Sequence, residues 1–287
     1  MLPVLLAFAS TFFFAGQSLC GKQGLAEEST PFTCTVVNIS ANAVFLWIAA
    51  LLWESPELLR TSYVWLFAGL GILVPGLARH LFFIGMHHLG PSRASVLGGV
   101  TPLLSSFAAI VFFGEPFRLQ TSLGTIAIVV GIILISFERD ARLTFEKRHL
   151  LFPLGSAALW AVRDNFARLG LKATQSPLTA AAVSVSSAAL LFLALSLCSS
   201  PSTRIALNRR SFGYFALSGW FGALAYMLTY FAFSLGNVIR AGPAIYSTGL
   251  ATILLSLLFL RKLEIITPRV LAAGLVILAG VALISLD

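Results

Sequence analysis

The sequence predicts an all-α integral membrane protein with ten transmembrane helices, arranged as two inverted five-helix repeats. The first observation is composition: 58% of the 287 residues are apolar and 10% are charged, whereas soluble domains carry about 25% charged residues. The second is that the apolar residues form about ten runs of spanning length. The third is that the second half of the chain resembles the first.

The runs are long enough to cross a bilayer, since a spanning helix needs about 20 mostly apolar residues. Backbone groups in hydrocarbon must be hydrogen-bonded internally, so the runs are predicted to be helices. The N-terminal run lacks the basic start of a signal peptide and is assigned to the first helix. The predicted spans are 2–20, 32–53, 62–86, 92–113, 119–137, 150–171, 178–198, 212–234, 240–260 and 268–286.

Self-similarity divides the chain into residues 1–137 and 150–287, joined by a charged connection at 138–149. At an offset of 146 the matched positions are Gly24 and Gly170, Pro31 and Pro177, and Leu89-Gly90 and Leu235-Gly236. At an offset of 149 Glu115 matches Glu264, and "GIILIS" matches "GVALIS". Because five is odd, the second unit enters the membrane from the opposite side, which is typical of secondary transporters.

Two motifs carry a family resemblance: "LGPSRASVLGGVTPLLSSFAAIVFFGEPF" at 89–117 and "PGLARHLFFIGMHHLG" at 75–90. They resemble the fourth and third helices of EamA-domain proteins in the drug/metabolite transporter superfamily. The resemblance covers nearly the whole chain, although the second half has "RKLE" where the first has Gly-Glu. It implies a ten-helix, gradient-driven carrier of a small metabolite.

The stretch "ALWAVRDNFARLGL" places Arg163, Asp164 and Asn165 inside an apolar helix. A charge at mid-helix costs roughly 2.5–3.5 kcal/mol on insertion scales, so such residues usually face the bundle interior. The repeat aligns Arg163 with Gln17, which marks the same point of both first helices. Adjacent positions lie about 100° apart on a helix, so Arg163 and Asp164 are expected to point in different directions. Two interpretations stay open: ion pairs with neighbouring helices, or a substrate or proton site.

The third predicted helix carries Arg79 and His80, and the repeat places Tyr226 opposite His80. Tyr226 and Tyr230 are one turn apart and share a face. A cavity lined by these groups would suit an anionic or zwitterionic head. The predicted substrate pathway is Gln17, Arg79, His80, Arg163, Asp164, Asn165, Tyr226 and Tyr230.

Small residues and prolines have structural roles in this scheme. Pro75, Pro102 and Pro243 are predicted to kink their helices, because each removes a backbone hydrogen bond. The last helix of each half carries a small-residue surface that permits close packing. These residues are Gly124, Gly131, Ala273, Gly274 and Gly280.

Motif searches give no support to other function classes. The sequence has no G-x-x-x-x-G-K-[ST], G-x-S-x-G or H-E-x-x-H, so no catalytic residue, metal or cofactor is expected. No basic run with interleaved aromatics indicates nucleic-acid binding. The sequence therefore favours a secondary transporter of an amino acid or related anionic or zwitterionic metabolite. The alternatives are a lipophilic-cation exporter and, less favoured, a membrane-embedded enzyme or a scaffold.

The expected localisation and partners follow from the interpretation of the chain as a membrane transporter. We expect a multi-pass protein of the plasma (inner) membrane, a monomer or weak homodimer, whose partners are lipid, a small solute and a coupling proton. Most basic loop residues, Arg93 among them, follow odd-numbered spans, which places both termini outside. The family resemblance instead implies that both termini are cytoplasmic.

Overall fold

The computed structural model describes residues 2–54, 59–113, 119–136, 146–174, 176–198, 205–235, 245, 247–260 and 266–285, and these ranges are helical with short connections and no β-strand. The first half comprises α1 Leu2–Leu25, α2 Pro31–Trp53, α3 Tyr63–Gly71, a π-helical segment Ile72–Leu77, α4 Ala78–Leu89, α5 Pro91–Gly98, α6 Thr101–Phe113 and α7 Leu119–Ser136. The second half comprises a 3₁₀ turn Lys147–Leu150, α8 Leu151–Thr174, α9 Pro177–Ser196, α10 Arg209–Leu235, α11 Thr248–Phe259 and α12 Pro268–Ser285.

Helix occupies most of the described part of every predicted span. Within the residues that the structure describes, four helical stretches are long and apolar enough to cross a membrane by themselves: Pro31–Trp53, Tyr63–Leu89, Pro177–Ser196 and Arg209–Ala232. Large apolar side chains such as Leu52, Trp65 and Leu190 are exposed on the outside of the bundle. Exposure of this kind suits a lipid environment, so the protein is an integral membrane protein; its full number of crossings stays a prediction.

Local sequence explains where the helices begin. Thr30 caps α2, its hydroxyl accepting a hydrogen bond from the Thr33 amide at 3.2 Å, and Pro31 follows at the first helical position. Asn208 caps α10 in the same way, with its side-chain oxygen 2.8 Å from the Ser211 amide. A short polar cap accepts a hydrogen bond from a free amide of the first turn, and proline at the first helical position has no amide hydrogen to satisfy.

A carboxylate from another helix caps α9. Glu54, at the end of α2, accepts hydrogen bonds from the amides of Leu178 and Thr179, both at 2.8 Å, and from the Thr179 hydroxyl at 2.9 Å. A negative charge is favourable at a helix N-terminus, where amides and dipole both point at it. Glu54 therefore joins the two halves at this end of the bundle.

The predicted kink at Pro75 is confirmed. Pro75 lies in the π-helical segment, and Val74 before it has extended backbone angles (φ −143°, ψ 114°). The fourth predicted span is also broken, because α5 ends at Gly98 and α6 begins at Thr101, one residue before Pro102. Pro243 lies outside the described residues, as do Glu115 and Glu264, whose superposition the repeat predicts.

The helices of the two halves interleave. Across the halves, α1 packs on α10 and α11, α2 on α9 and α10, and α3 on α9. Similarly, α8 packs on α3, α4, α5 and α6, while α5 meets α11 and α7 meets α12. These contacts form matching pairs when α1, α2, α3–α4, α5–α6 and α7 are exchanged for α8, α9, α10, α11 and α12. In addition, α12 packs on α5 and α6.

Close glycine contacts occur in matched pairs. A Cβ placed on Gly24 would overlap the ring of Phe215, and one placed on Gly170 would lie 2.7 Å from the ring of Phe67. Gly24 and Gly170 are 146 residues apart, and Phe67 and Phe215 are 148 apart. The α1–α10 contact and the α8–α3 contact are therefore built alike.

A second matched pair brings backbone against backbone. A Cβ on Gly71 of α3 would overlap the carbonyl oxygen of Ser184 in α9, and one on Gly219 of α10 would lie 2.5 Å from the carbonyl oxygen of Asn38 in α2. Gly71 and Gly219 are 148 apart, whereas Leu89 and Leu235 are 146 apart. The first half therefore holds two extra residues between these points, where the π-helical segment lies.

The small-residue surfaces of the last helices pack together as expected. Gly131 of α7 lies against Ile277 of α12, and Gly280 of α12 lies against Ile128 of α7. One expectation is wrong: Arg93, counted among loop residues, lies within α5 and is 2% exposed. Its burial arises because Gly90 and Pro91 start α5 directly after α4, leaving no open loop.

We expect Gly71→Ala and Gly219→Ala to destabilise the protein, because each added methyl meets a backbone carbonyl that cannot move independently. Overpacking of this kind costs about 1–3 kcal/mol. Gly69→Ala and Gly213→Ala are matched controls on the same helices, since a Cβ there meets nothing within 4 Å. Thermal unfolding in detergent, followed by circular dichroism, measures the effect; equal midpoints for Gly71→Ala and Gly69→Ala would contradict the close approach.

Candidate functional site

Asn38 is the centre of a buried hydrogen-bond network that joins four helices. Its side-chain oxygen accepts from Arg79 Nη1 at 2.9 Å and from Gln17 Nε2 at 3.3 Å. Its Nδ2 donates to Ser218 Oγ at 2.8 Å, and that hydroxyl donates to the carbonyl of Gln17 at 2.8 Å. Because the Ser218 bond orients the amide, the Asn38 oxygen is held towards Arg79 and Gln17.

Arg79 is 3% exposed, at the start of α4. Its guanidinium carbon lies 5.1 Å from the centre of the Tyr226 ring. Aromatic faces attract cations, and the attraction grows when both are desolvated. Arg79 is therefore held by one amide oxygen and one ring.

Arg163 and Asp164 form an ion pair with each other. Nε of Arg163 lies 3.2 Å from Oδ1 of Asp164, and the residues are 1% and 4% exposed. The expectation that they point in different directions is wrong, because the long arginine side chain curls back to its neighbour. The Arg163 guanidinium carbon also lies 4.5 Å from the ring centre of Trp160 and 5.5 Å from those of Tyr226 and Tyr230.

Tyr226 and Tyr230 share a face of α10, as their spacing predicts. Their rings stack with centres 5.7 Å apart and planes 24° apart. Both residues are fully buried. Since Tyr226 contacts Arg79 and Arg163, it connects the two arginines.

His80 and Asn165 point elsewhere. Nδ1 of His80 lies 2.9 Å from Thr35 Oγ1, and its ring contacts Phe32 and Phe192. Asn165 Nδ2 donates to Ser105 Oγ at 3.0 Å, tying α8 to α6. These two predicted pathway residues therefore do not join the Arg79 network.

A cavity of about 720 Å³, including its opening, lies between the two halves. As far as the described residues form it, its wall combines aromatic rings, hydroxyls and glycines with the guanidinium of Arg79. The lining residues are Phe14, Gln17, Ser18, Arg79, Phe82, Ser95, Gly98, Gly99, Thr101, Ser156, Ala157, Trp160, Ile245 and Thr248.

Two predicted pathway residues, Gln17 and Arg79, thus line the cavity. Arg163, Asp164, Tyr226 and Tyr230 are buried but are not among the lining residues. The cavity is therefore connected to the Arg163–Asp164 pair through Trp160, which lines the one and contacts the other.

Sequence reasoning missed the aromatic wall. Phe14 and Trp160 line the cavity from α1 and α8, with ring centres 6.1 Å apart. They are separated by the same 146 residues as Gln17 and Arg163, so the repeat offset contained the signal. No group of three or more His, Cys, Asp or Glu side chains suited to a metal occurs within the described part of the chain.

The sequence profile described as the EamA-like transporter family matches residues 1–137 and 147–286. The chain belongs to this family. The two matched ranges cover almost all of the sequence, and their gap falls in the charged connection. The family's name indicates a membrane transporter of the drug/metabolite superfamily rather than an enzyme.

Known proteins similar to this member of the EamA-like family include a curated bacterial transporter and a solved structure. An uncharacterized transporter, YwfM of Bacillus subtilis (strain 168), is 27% identical over 154 residues, which is 51% of this chain and 49% of that protein. The chain thus aligns with about half the length of this curated relative. A solved crystal structure is 17% identical, with a TM-score of 0.71 over 98% of this chain and 95% of the other. At that identity the likeness concerns the fold alone.

We expect Arg163→Gln to destabilise this EamA-like protein, because Asp164 would then be buried without the adjacent guanidinium. Removing one partner of a buried pair costs about 3–5 kcal/mol. The double variant Arg163→Gln/Asp164→Ser copies Gln17-Ser18 of the first half and should recover most of the loss. Thermal unfolding in detergent compares the three proteins; a double variant as unstable as Arg163→Gln would show that the pair does not govern stability here.

Proposed function

We propose that the protein is a secondary active transporter of a small anionic or zwitterionic metabolite, such as an amino acid. Transport proceeds by alternating access through the cavity between residues 1–137 and 150–287. These units are inverted repeats of five membrane-spanning helices each. The observation that carries the proposal is the cavity itself, which both halves line and which holds the buried cation Arg79.

The matched contacts support the inverted repeats. The Gly71–Ser184 approach of α3 and α9 has its counterpart in the Gly219–Asn38 approach of α10 and α2. A two-fold relation between the halves accounts for both contacts with one geometry. Inverted repeats place the substrate site at their interface, and the cavity lies there.

Arg79 and the Arg163–Asp164 pair support an anionic head group. A cation in a low-dielectric site attracts a negative charge far more strongly than it does in water. Asp164 already lies beside Arg163, so the pair is close to neutral, and among the described lining residues the charge is that of Arg79. Asp164 is the candidate carrier of a coupling proton.

The aromatic wall keeps a lipophilic-cation exporter as a second candidate. Phe14, Phe82 and Trp160 line the cavity, and aromatic faces attract cations. Arg79 repels the same ligands. Measuring uptake of both substrate classes therefore separates the two candidates.

We expect proteoliposomes containing the protein to take up radiolabelled amino acids or related anions when a proton gradient is imposed. Gly98→Phe should reduce this uptake at least about tenfold, because Gly98 lines the cavity and a Cβ there meets nothing within 4 Å. The added side chain would start in open space at a residue that lines the proposed pathway.

Gly69→Phe is the matched control, since a Cβ at this exposed glycine of α3 also meets open space. It should transport like the unmodified protein. Equal transport by Gly98→Phe would exclude the cavity as the pathway. Uptake of tetraphenylphosphonium in place of anions would favour the exporter.

A further inference from the structure

We infer that Arg79 and Ser95 form a carboxylate subsite, and that the cavity selects a small monocarboxylate with an apolar or aromatic body. The inference rests on the proposed function and deepens it, because it narrows the substrate class and assigns the anion-binding residues. It is carried by two buried polar groups without hydrogen-bond partners in the described part of the chain, both on residues that line the cavity.

Nη2 of Arg79 and Oγ of Ser95 are both buried and both belong to residues that line the cavity. Neither atom finds a hydrogen-bond partner within the described part of the chain. A buried donor without an acceptor costs about 1–3 kcal/mol, and more when it is charged. A ligand with acceptor oxygens would satisfy both groups.

The Asn38 network explains why Arg79 keeps a free donor. Nη1 is engaged by the Asn38 oxygen, which also accepts from Gln17. The opposite end of the Asn38 amide is fixed by Ser218. The network thus holds the guanidinium at the cavity wall through Nη1 and leaves Nη2 for a ligand.

The charges of the wall favour an anion over a zwitterion. Among the described residues that line the cavity, Arg79 carries a charge and no carboxylate is present. The nearby carboxylate of Asp164 is within 3.2 Å of Arg163. A ligand ammonium group would therefore be desolvated without an acidic partner on this wall, whereas a carboxylate would pair with Arg79.

The rest of the wall suits an apolar body. Phe14, Phe82 and Trp160 offer rings for stacking or edge contacts, which typically stabilise an aromatic pair by about 0.5–1.5 kcal/mol beyond burial. A benzene ring bearing one carboxylate combines the two features. Benzoate is accordingly the simplest probe of the subsite.

Calorimetric titration of the purified full chain in detergent tests the inference with four ring compounds: benzoate, benzamide, benzylammonium and phenylalanine. We expect benzoate to bind at least about tenfold more tightly than each of the others. The inference is overturned if the neutral, cationic or zwitterionic compound binds as tightly as benzoate, or if none of the four binds. This comparison needs no variant, so it holds even if a variant fails to fold.

Variants then test whether Arg79 is the residue that binds the carboxylate. Arg79→Gln should weaken benzoate binding at least about tenfold and leave benzamide binding unchanged, while Arg79→Lys should retain part of the preference for benzoate. Arg210→Gln, which removes an exposed arginine of α10, is the control of equal charge change and should bind like the unmodified protein. Full benzoate affinity in a folded Arg79→Gln protein would overturn the assignment.

The binding and uptake experiments together distinguish failure of the carboxylate subsite from failure of the proposed transport function. Benzoate binding that depends on Arg79, without uptake into proteoliposomes, would refute transport and keep the subsite. Solute uptake that is undiminished in Arg79→Gln would refute the subsite and keep transport.

Discussion

A guanidinium inside an apolar helix bundle needs hydrogen-bond acceptors and aromatic rings from the protein itself, and much of the site depends on this constraint. Water and lipid headgroups are not at hand in hydrocarbon, so the partners must come from neighbouring helices. Arg79 donates a hydrogen bond to Asn38 and lies over the ring of Tyr226, and Ser218 in turn orients the Asn38 amide. These groups belong to α2, α4 and α10, so satisfying one charge also fixes the relative positions of three helices from both halves.

Close backbone approach makes this arrangement possible. The Gly219–Asn38 contact brings α10 against α2 at the residue that binds Arg79. In the matching contact between α3 and α9, Gly71 meets Ser184, and Ser184 Oγ donates to the carbonyl of Phe67 at 3.0 Å. The same packing device therefore supports a polar centre at one contact and a structural hydrogen bond at the other. The two contacts also differ in their surroundings, because a π-helical segment follows Gly71, whereas α10 continues as an α-helix after Gly219.

Much of the helical framework could be predicted from the sequence. Hydropathy and the breaks between apolar runs placed the helices within a few residues, and the shared face of Tyr226 and Tyr230 followed from helical spacing. The site was predictable only in part. Gln17 and Arg79 line the cavity, but His80 turns towards Thr35 and Asn165 towards Ser105. The position of a residue along a helix determines the helix face on which its side chain lies. The neighbour that the side chain contacts depends on how helices distant in sequence cross.

The sequence by itself determined that this chain is apolar and helical, that polarity recurs where Gln17 and Arg163 align, and that charges lie inside apolar segments. These properties follow from local composition and from the spacing of apolar and polar residues along the chain, and contacts with distant residues do not alter them. The tertiary structure decided the roles of two buried arginines. Arg163 pairs with Asp164 and contacts the ring of Trp160, whereas Arg79 lines the cavity. The reason is that ion pairing and burial are fixed by distances between side chains, and packing of the two interleaved halves sets those distances.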